Sequence, residues 1–206
     1  MNWESAPCAK PFLTDYYQRI TLARWQAMRD LLPKGGTYID YGAGIGDFAQ
    51  LAKSQGFADA VIAVEGRVVL CVALRLRLNV GFQIGFRSGI GDVVNQDLDH
   101  SDFKPIMADG VSCVFLLGIL YHLREPLDVL RRIVEVHCDV PIFADAILRD
   151  REKVYDEDPS DPTQGLAREV GGIDEKAFLE HGFEKLNVDH PEYLDGSRGM
   201  YVRRPK

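Results

Sequence analysis

Apolar and polar positions alternate along this chain in two rhythms. Short runs at Tyr38–Tyr41, Ala60–Val64, Asp92–Gln96, Val111–Leu120 and Val140–Leu148 have strand length. Val111–Leu120 is almost wholly apolar, as a strand covered on both faces must be. Between them, apolar residues recur every three or four positions, the helical spacing. Residues 14–32 form one such helix: Thr14 is placed to cap it. Tyr17, Ile20, Arg24, Ala27, Met28 and Leu31 fall on or beside one face, and Pro33-Lys34-Gly35-Gly36 stops it. Gly46–Ser54, Arg67–Leu78 (Leu70, Leu74 and Leu78 on one face), Pro126 to about His137, and Asp174–His181 are the others. Pro126 suits a first helical turn. Phe183–Val188 and Met200–Arg204 read as a closing hairpin. Strand and helix in alternation predict an α/β fold: a doubly wound, mostly parallel sheet with helices on both faces. Two stretches fit neither rhythm. Residues 79–91 carry glycines at 81, 85, 89 and 91, and nine of the fifteen residues 149–163 are charged, with Pro159 and Pro162 among them. The second is expected to be a solvated loop or lid.

The chemistry concentrates where the first strand meets its helix, at Asp40-Tyr41-Gly42-Ala43-Gly44-Ile45-Gly46-Asp47. Glycines at alternate positions permit torsions closed to other residues and let a ligand approach the main chain. A strand–glycine turn–helix unit is the usual nucleotide seat of such folds. The third glycine comes one residue too early for a dinucleotide fingerprint. Asp40 and Asp47 flank the turn, and no Lys or Arg lies between Thr37 and Ala52. A diphosphate would be repelled there, and Asp47 takes the helix-dipole position it would want. An adenosyl ligand with a cationic end and no phosphate fits better, as S-adenosylmethionine does. Val61-Ile62-Ala63-Val64-Glu65 ends in an acid 19 residues after Gly46, near the spacing at which a strand-end carboxylate grips ribose hydroxyls.

From about Trp25 to the C-terminus the chain resembles the class I S-adenosylmethionine-dependent methyltransferases. The resemblance rests on Asp40–Gly46, Val64-Glu65, Asn95-Gln96-Asp97-Leu98 and Leu116–Leu127, which contains Leu120-Tyr121-His122-Leu123. The last segment is shared by several branches, one of them similar to tRNA wobble-uridine carboxymethyltransferases. The resemblance implies a seven-stranded Rossmann-like sheet with an antiparallel last strand, S-adenosylmethionine as cofactor and S-adenosylhomocysteine as product. It implies cofactor contacts at Asp40, Gly42, Ala43, Gly44, Gly46, Glu65 and Gly66. Asp97 would meet the adenine amino group and the Leu98 amide the ring. Leu117, Gly118 and Tyr121 would line the end of the fourth strand. Residues 1–36 would be an N-terminal helical segment and potential lid, and residues 37–206 the single cofactor-binding domain.

Composition narrows the rest. A chain of 206 residues, 46% hydrophobic and 27% charged, suits one globular domain. No apolar stretch reaches membrane-spanning length, and Met1–Pro7 lacks the basic start and apolar core of a signal peptide. Cys8, Cys71, Cys113 and Cys138 are scattered, which points to reduced thiols and a cytoplasmic protein. Phe12, Tyr16, Tyr17 and Trp25 cluster in the first helix, as packing residues or, for Tyr16 and Tyr17, as a cover over the ligand. Arg75 and Arg77 read as a solvated face, and His100, His137, His181 and His190 as surface residues with no metal-ligand spacing.

Methyl transfer from a sulfonium needs alignment and exclusion of water, and a base only when the nucleophile keeps its proton. The Leu120–Arg124 loop lies at the carboxyl edge of the sheet, where ligands of open α/β sheets bind. Tyr121 and His122 are therefore the catalytic candidates, with His122 either a general base or an anchor of its loop. The net charge of −7 and the acids Asp156, Glu157, Asp158 and Asp161 favour a small-molecule acceptor over tRNA, although Arg203, Arg204 and Lys206 form a basic tail. The alternatives are a wobble-uridine-like tRNA alkyltransferase, a nicotinamide-dependent oxidoreductase and a non-catalytic binder of the cofactor.

Overall fold

The computed structural model describes residues 14–78, 92–148 and 173–205. Helix α1 (Asp15–Met28) ends in a tight turn, Arg29–Leu31, and leads into β1 (Thr37–Tyr41). Then follow α2 (Asp47–Ser54), β2 (Ala60–Glu65), α3 (Val68–Arg77), β3 (Asp92–Asn95) and β4 (Val111–Leu116). After a 3-10 turn at Leu120–His122 come α4 (Pro126–Val136), β5 (Ile142–Ile147), α5 (Glu175–Glu180), β6 (Phe183–Leu186), α6 (Pro191–Leu194) and β7 (Arg198–Arg203). The seven strands form one sheet in the order β3-β2-β1-β4-β5-β7-β6. β3 through β5 are parallel, whereas β7 runs antiparallel between β5 and β6. The order reverses between β1 and β4, which places a ligand crevice beyond the carboxyl ends of these strands.

Strand alternation decides what each face carries. Tyr38 of β1, Cys113 and Phe115 of β4, and Phe143 of β5 pack with α1, α2 and α3. Ile39, Tyr41, Val114, Leu116, Ile142 and Ala144 pack on the opposite face with α4 and α5. By the same period of two, Asp40 and Asp145 project toward α1 and α2. Helix α1 belongs to this core: Ile20, Trp25 and Met28 are buried in the same cluster. Trp25 donates from Nε1 to Gln55 Oε1 at 3.1 Å and meets Phe57 edge-on.

Three expectations change. The apolar run Val111–Leu120 is strand only to Leu116, because Gly118 turns the chain at φ +79° into the 3-10 turn. A short helix, α6, interrupts the closing hairpin, with His190 Nδ1 accepting from the Glu192 amide. His137 is buried rather than on the surface, its Nε2 3.2 Å from the Tyr41 hydroxyl, and burial lowers its pKa. Among the described residues no helix is long and apolar enough to cross a membrane. Phe12, Cys8, the glycines of residues 79–91, the acidic stretch 149–163 and Lys206 lie outside the described residues.

Candidate functional site

The glycine turn is held by backbone bonds to the next strand. The Gly42 and Ala43 amides both donate to Val64 O, at 2.8 and 3.0 Å. Gly42 sits at φ +71°, and a Cβ there would lie 2.4 Å from Ile119 Cγ1, so the β4 loop closes directly onto it. Gly46 caps α2 at φ +78°, and a Cβ there would meet Leu74 of α3 at 2.6 Å. The glycine pattern therefore serves close packing by the protein's own side chains at these two positions.

Charges near the turn are paired, Asp47 and Asp145 by arginines distant in sequence and Glu65 by a near neighbour. Arg77 bonds Asp47 Oδ1 at 2.6 Å and donates to Ile45 O at 3.0 Å. The expectation of a solvated Arg77 is thus corrected: no Lys or Arg lies within the turn itself, and α3 supplies one beside it. Arg75 is also engaged, donating to Val93 O at 3.2 Å. Arg67 pairs with Glu65 at 2.8 Å, Arg24 with Asp145 at 2.5 Å, and Arg198 with Glu192. Asp40 is the exception. It is 1% exposed, no side chain bonds either carboxylate oxygen, the Ala49 amide lies beside it, and among the described residues no cation lies against it. Burial pushes its pKa up to about 8; the Ala49 amide opposes this, while Asp47 and Glu65 add to it.

A cavity of about 40 Å³ opens beside the turn, bounded by Gly42, Glu65, Gly66, Arg67, Asp97, Leu98, Asp99, Ile119, His122 and Leu123. Gly42, Glu65, Gly66, Asp97, Leu98 and His122, all predicted site residues, are thereby brought together. Asp97 Oδ1 accepts from the Asp99 amide at 2.9 Å, an Asx turn that fixes the loop after β3. The Gly44 amide donates to Glu65 Oε2 at 2.9 Å, linking the turn to the end of β2.

Leu117, Gly118 and Tyr121 lie apart from this cavity. Leu117 is 5% exposed in the α1-side core. The Gly118 amide donates to Asp145 Oδ1, and the Tyr193 hydroxyl donates to Asp145 Oδ2 at 3.0 Å. Arg24 Nε donates to the Tyr193 hydroxyl at 2.7 Å. Tyr121 is 8% exposed, with the Arg198 guanidinium 4.8 Å above its ring. The ring of His122 lies 4.6 Å from that of Tyr121. Tyr17 of α1 completes this side: burial raises its hydroxyl pKa, and Asp47, Arg24, Tyr121 and Asp40 are its electrostatic neighbours. Tyr16 points outward and donates to Glu192. Sequence reading missed Arg67, Asp145, Tyr193 and Arg198 as site-building residues. Only the position of Arg67, two residues after the strand-end acid, offered a signal.

No protein-family model and no curated protein matches this sequence. Solved structures do. The N-terminal domain of EvdMO1, crystallised with S-adenosylhomocysteine bound, is 19% identical with a TM-score of 0.62, over 94% of this chain and 85% of that one. A Leishmania major S-adenosylmethionine-dependent methyltransferase is 14% identical with a TM-score of 0.61, over 98% and 79%. The [4+2]-cyclase SpnF is 15% identical with a TM-score of 0.55, over 92% and 82%. At these identities the likeness is one of architecture, and it agrees with the strand order: the chain has the seven-stranded, Rossmann-like fold of the S-adenosylmethionine-dependent methyltransferases.

Proposed function

We propose that this protein is an S-adenosylmethionine-dependent methyltransferase acting on a small-molecule acceptor. The observation that carries the reading is the unpaired carboxylate of Asp40. Asp47, Glu65 and Asp145 each have an arginine, whereas Asp40, 1% exposed, has no cation beside it among the described residues. Burial makes this carboxyl costly to ionise, and a cation bound beside it would stabilise the carboxylate. A ligand combining an adenosyl group with a cationic amino-acid end fits that donor set and the fold. Asp40, with Gly42, Ala43, Gly44 and Gly46, would hold the amino-acid end. Glu65 and Gly66 would take the ribose, and Asp97 and Leu98 the adenine. Leu117, Gly118 and Tyr121 would border the reacting end. When bound, the cofactor supplies an already activated methyl group, so the residues have to align the acceptor and exclude water.

The same arrangement separates the two catalytic candidates. His122 borders the cavity of Glu65 and Asp97, the adenosine side, whereas Tyr121 meets Arg198 and the Gly118 turn. We assign His122 to holding the cofactor and Tyr121 to the acceptor side. His122→Asn should weaken S-adenosylhomocysteine binding by a few fold, about 1 kcal/mol for one hydrogen bond. It should leave the pH profile of turnover unchanged. Disappearance of an acidic limb near pH 6.5, with cofactor affinity intact, would restore the general-base role.

A small acceptor is supported by 31 acidic against 24 basic residues and, among the described residues, by the pairing of Arg24, Arg67, Arg77 and Arg198 with acids, which leaves these four cations engaged and unavailable to a polyanion. Isothermal titration with S-adenosylhomocysteine and with NAD tests the cofactor. Radiolabelled methyl transfer to extract fractionated into small molecules, RNA and protein tests the acceptor. Binding of NAD alone would sink the first assignment, and label in tRNA together with a salt-sensitive gel shift would sink the second. SpnF, a [4+2]-cyclase on this fold, favours one further reading, in which the cofactor is bound without methyl transfer. Cofactor binding with no labelled fraction would select it.

A further inference from the structure

An ionised carboxylate has about four lone-pair positions for donors, and in Glu65 all four are filled from within the protein. Oε1 accepts from the Arg67 amide at 2.9 Å and from Arg67 Nε at 2.8 Å. Oε2 accepts from the Gly44 amide at 2.9 Å and from Arg67 Nη2 at 3.3 Å. Glu65 is 3% exposed, so no further donor reaches it from solvent. The adjoining cavity, about 40 Å³, holds only about three waters. A ribose diol therefore has neither acceptor nor space at Glu65 as it stands. Of the groups on the carboxylate, two are backbone amides fixed by the glycine turn and by the start of α3. The guanidinium alone can leave by side-chain rotation.

We infer that Arg67 is a resident competitor for the ribose position: its guanidinium caps Glu65 in the free protein and must swing out before a ribose diol can be bound. The inference rests on the proposed cofactor reading. Departure of the fork vacates one position on each carboxylate oxygen, one for each hydroxyl of a vicinal diol, and leaves a backbone donor on each. It also empties the part of the cavity that the side chain fills. Arg67 Nη1 is buried without a hydrogen-bond partner, so one edge of the guanidinium is unsatisfied where it sits. Arg67 thereby sets the affinity of the site: part of what the ribose gains at Glu65 is offset by breaking a bidentate ion pair.

The protein and its Arg67→Met variant are titrated with S-adenosylhomocysteine. The variant retains the stem of the side chain and removes the fork. About tenfold tighter binding is expected, corresponding to one charge-assisted contact no longer displaced. Unchanged or weaker binding would overturn the inference and make Arg67 a bystander or a direct ligand. A second measurement needs no variant fold. The Arg67 Nε–H proton resonance, protected by its bond to Glu65, should lose that protection on saturation with S-adenosylhomocysteine. A resonance unmoved by saturating ligand would overturn the inference whatever the variant does. If the wild-type protein shows no heat and no spectral change with S-adenosylhomocysteine, the cofactor reading fails first. If it binds and Arg67 stays, only the competitor role fails.

Discussion

Asp40→Asn should make the free protein more stable and its cofactor complex weaker. The carboxyl group is buried on the α1–α2 face with no cation beside it among the described residues, and its pKa is pushed up to about 8, chiefly by burial. The unfolded chain loses this proton near pH 4, whereas the folded chain holds it until about pH 8. Between those values the folded state binds the extra proton. Stability contributed at Asp40 is therefore complete below pH 4 and falls as pH rises, by about 1.4 kcal/mol for each pH unit, levelling off above pH 8. Asparagine abolishes that slope. Urea midpoints from pH 5 to pH 8 should show the wild type losing ground to the variant as pH rises, and parallel curves would refute the assignment. Affinity should move the other way: losing a charge-assisted contact of roughly 1.5–3 kcal/mol weakens S-adenosylhomocysteine binding about 10- to 150-fold. At pH 7 a bound cation should also expel the Asp40 proton. Calorimetry in buffers of different ionisation heat would register that release in the wild type and none in the variant.

The second large effect is structural. Arg24→Met removes the partner of a carboxylate that is 0% exposed in its side chain, and breaking a buried pair from one side costs roughly 3–5 kcal/mol. The Tyr193 hydroxyl and the Gly118 amide remain on Asp145, so the loss should reach the β4 loop as well as the helix. Arg24→Met with Asp145→Leu should recover part of the stability, since an apolar pair leaves no orphaned charge, while the Gly118 amide and Tyr193 hydroxyl lose their acceptor. Chemical denaturation of the single and double variants decides the point. A single-variant loss below about 1 kcal/mol would mean the pair contributes no more than a surface ion pair.

Much of this architecture was legible because it is written in local patterns. β1, β2, β4 and β5 are apolar runs bounded by turn residues, and the core positions of α3 recur at Leu70, Leu74 and Leu78. The glycine turn and Glu65 were found by spacing alone. What could not be read is which arginine meets which acid. Arg77 lies 30 residues beyond Asp47, and Arg24 is 121 residues before Asp145. Only the folded sheet brings them together, so Arg77 had the look of a solvated helical residue. α6 was missed because four residues between polar flanks carry too little periodicity to register. The strand-like run ending at Leu120 misled for a different reason: Leu117, Leu120 and Leu123 are as buried as strand residues, but they are buried in a turn. That Asp40 flanks the turn is legible in sequence, whereas its lack of a cation among the described residues is a fact of packing that sequence does not hold.

Helix α1 is tied to a segment that is synthesised much later. Arg24 reaches the Tyr193 hydroxyl across 169 positions of sequence, and Tyr16 reaches Glu192 across 176. At a translation rate of about 5–20 residues per second, α1 leaves the ribosome roughly 8–34 seconds before its partners exist. For that interval Ile20, Trp25 and Met28 have to find the α2 side of a sheet that still lacks β5 and β7, or wait exposed for a chaperone. Contacts of such separation also slow folding. A chain truncated before Tyr193 would thus leave α1 without this anchor, and the packing of α1 would be completed only when the segment carrying Glu192 and Tyr193 arrives.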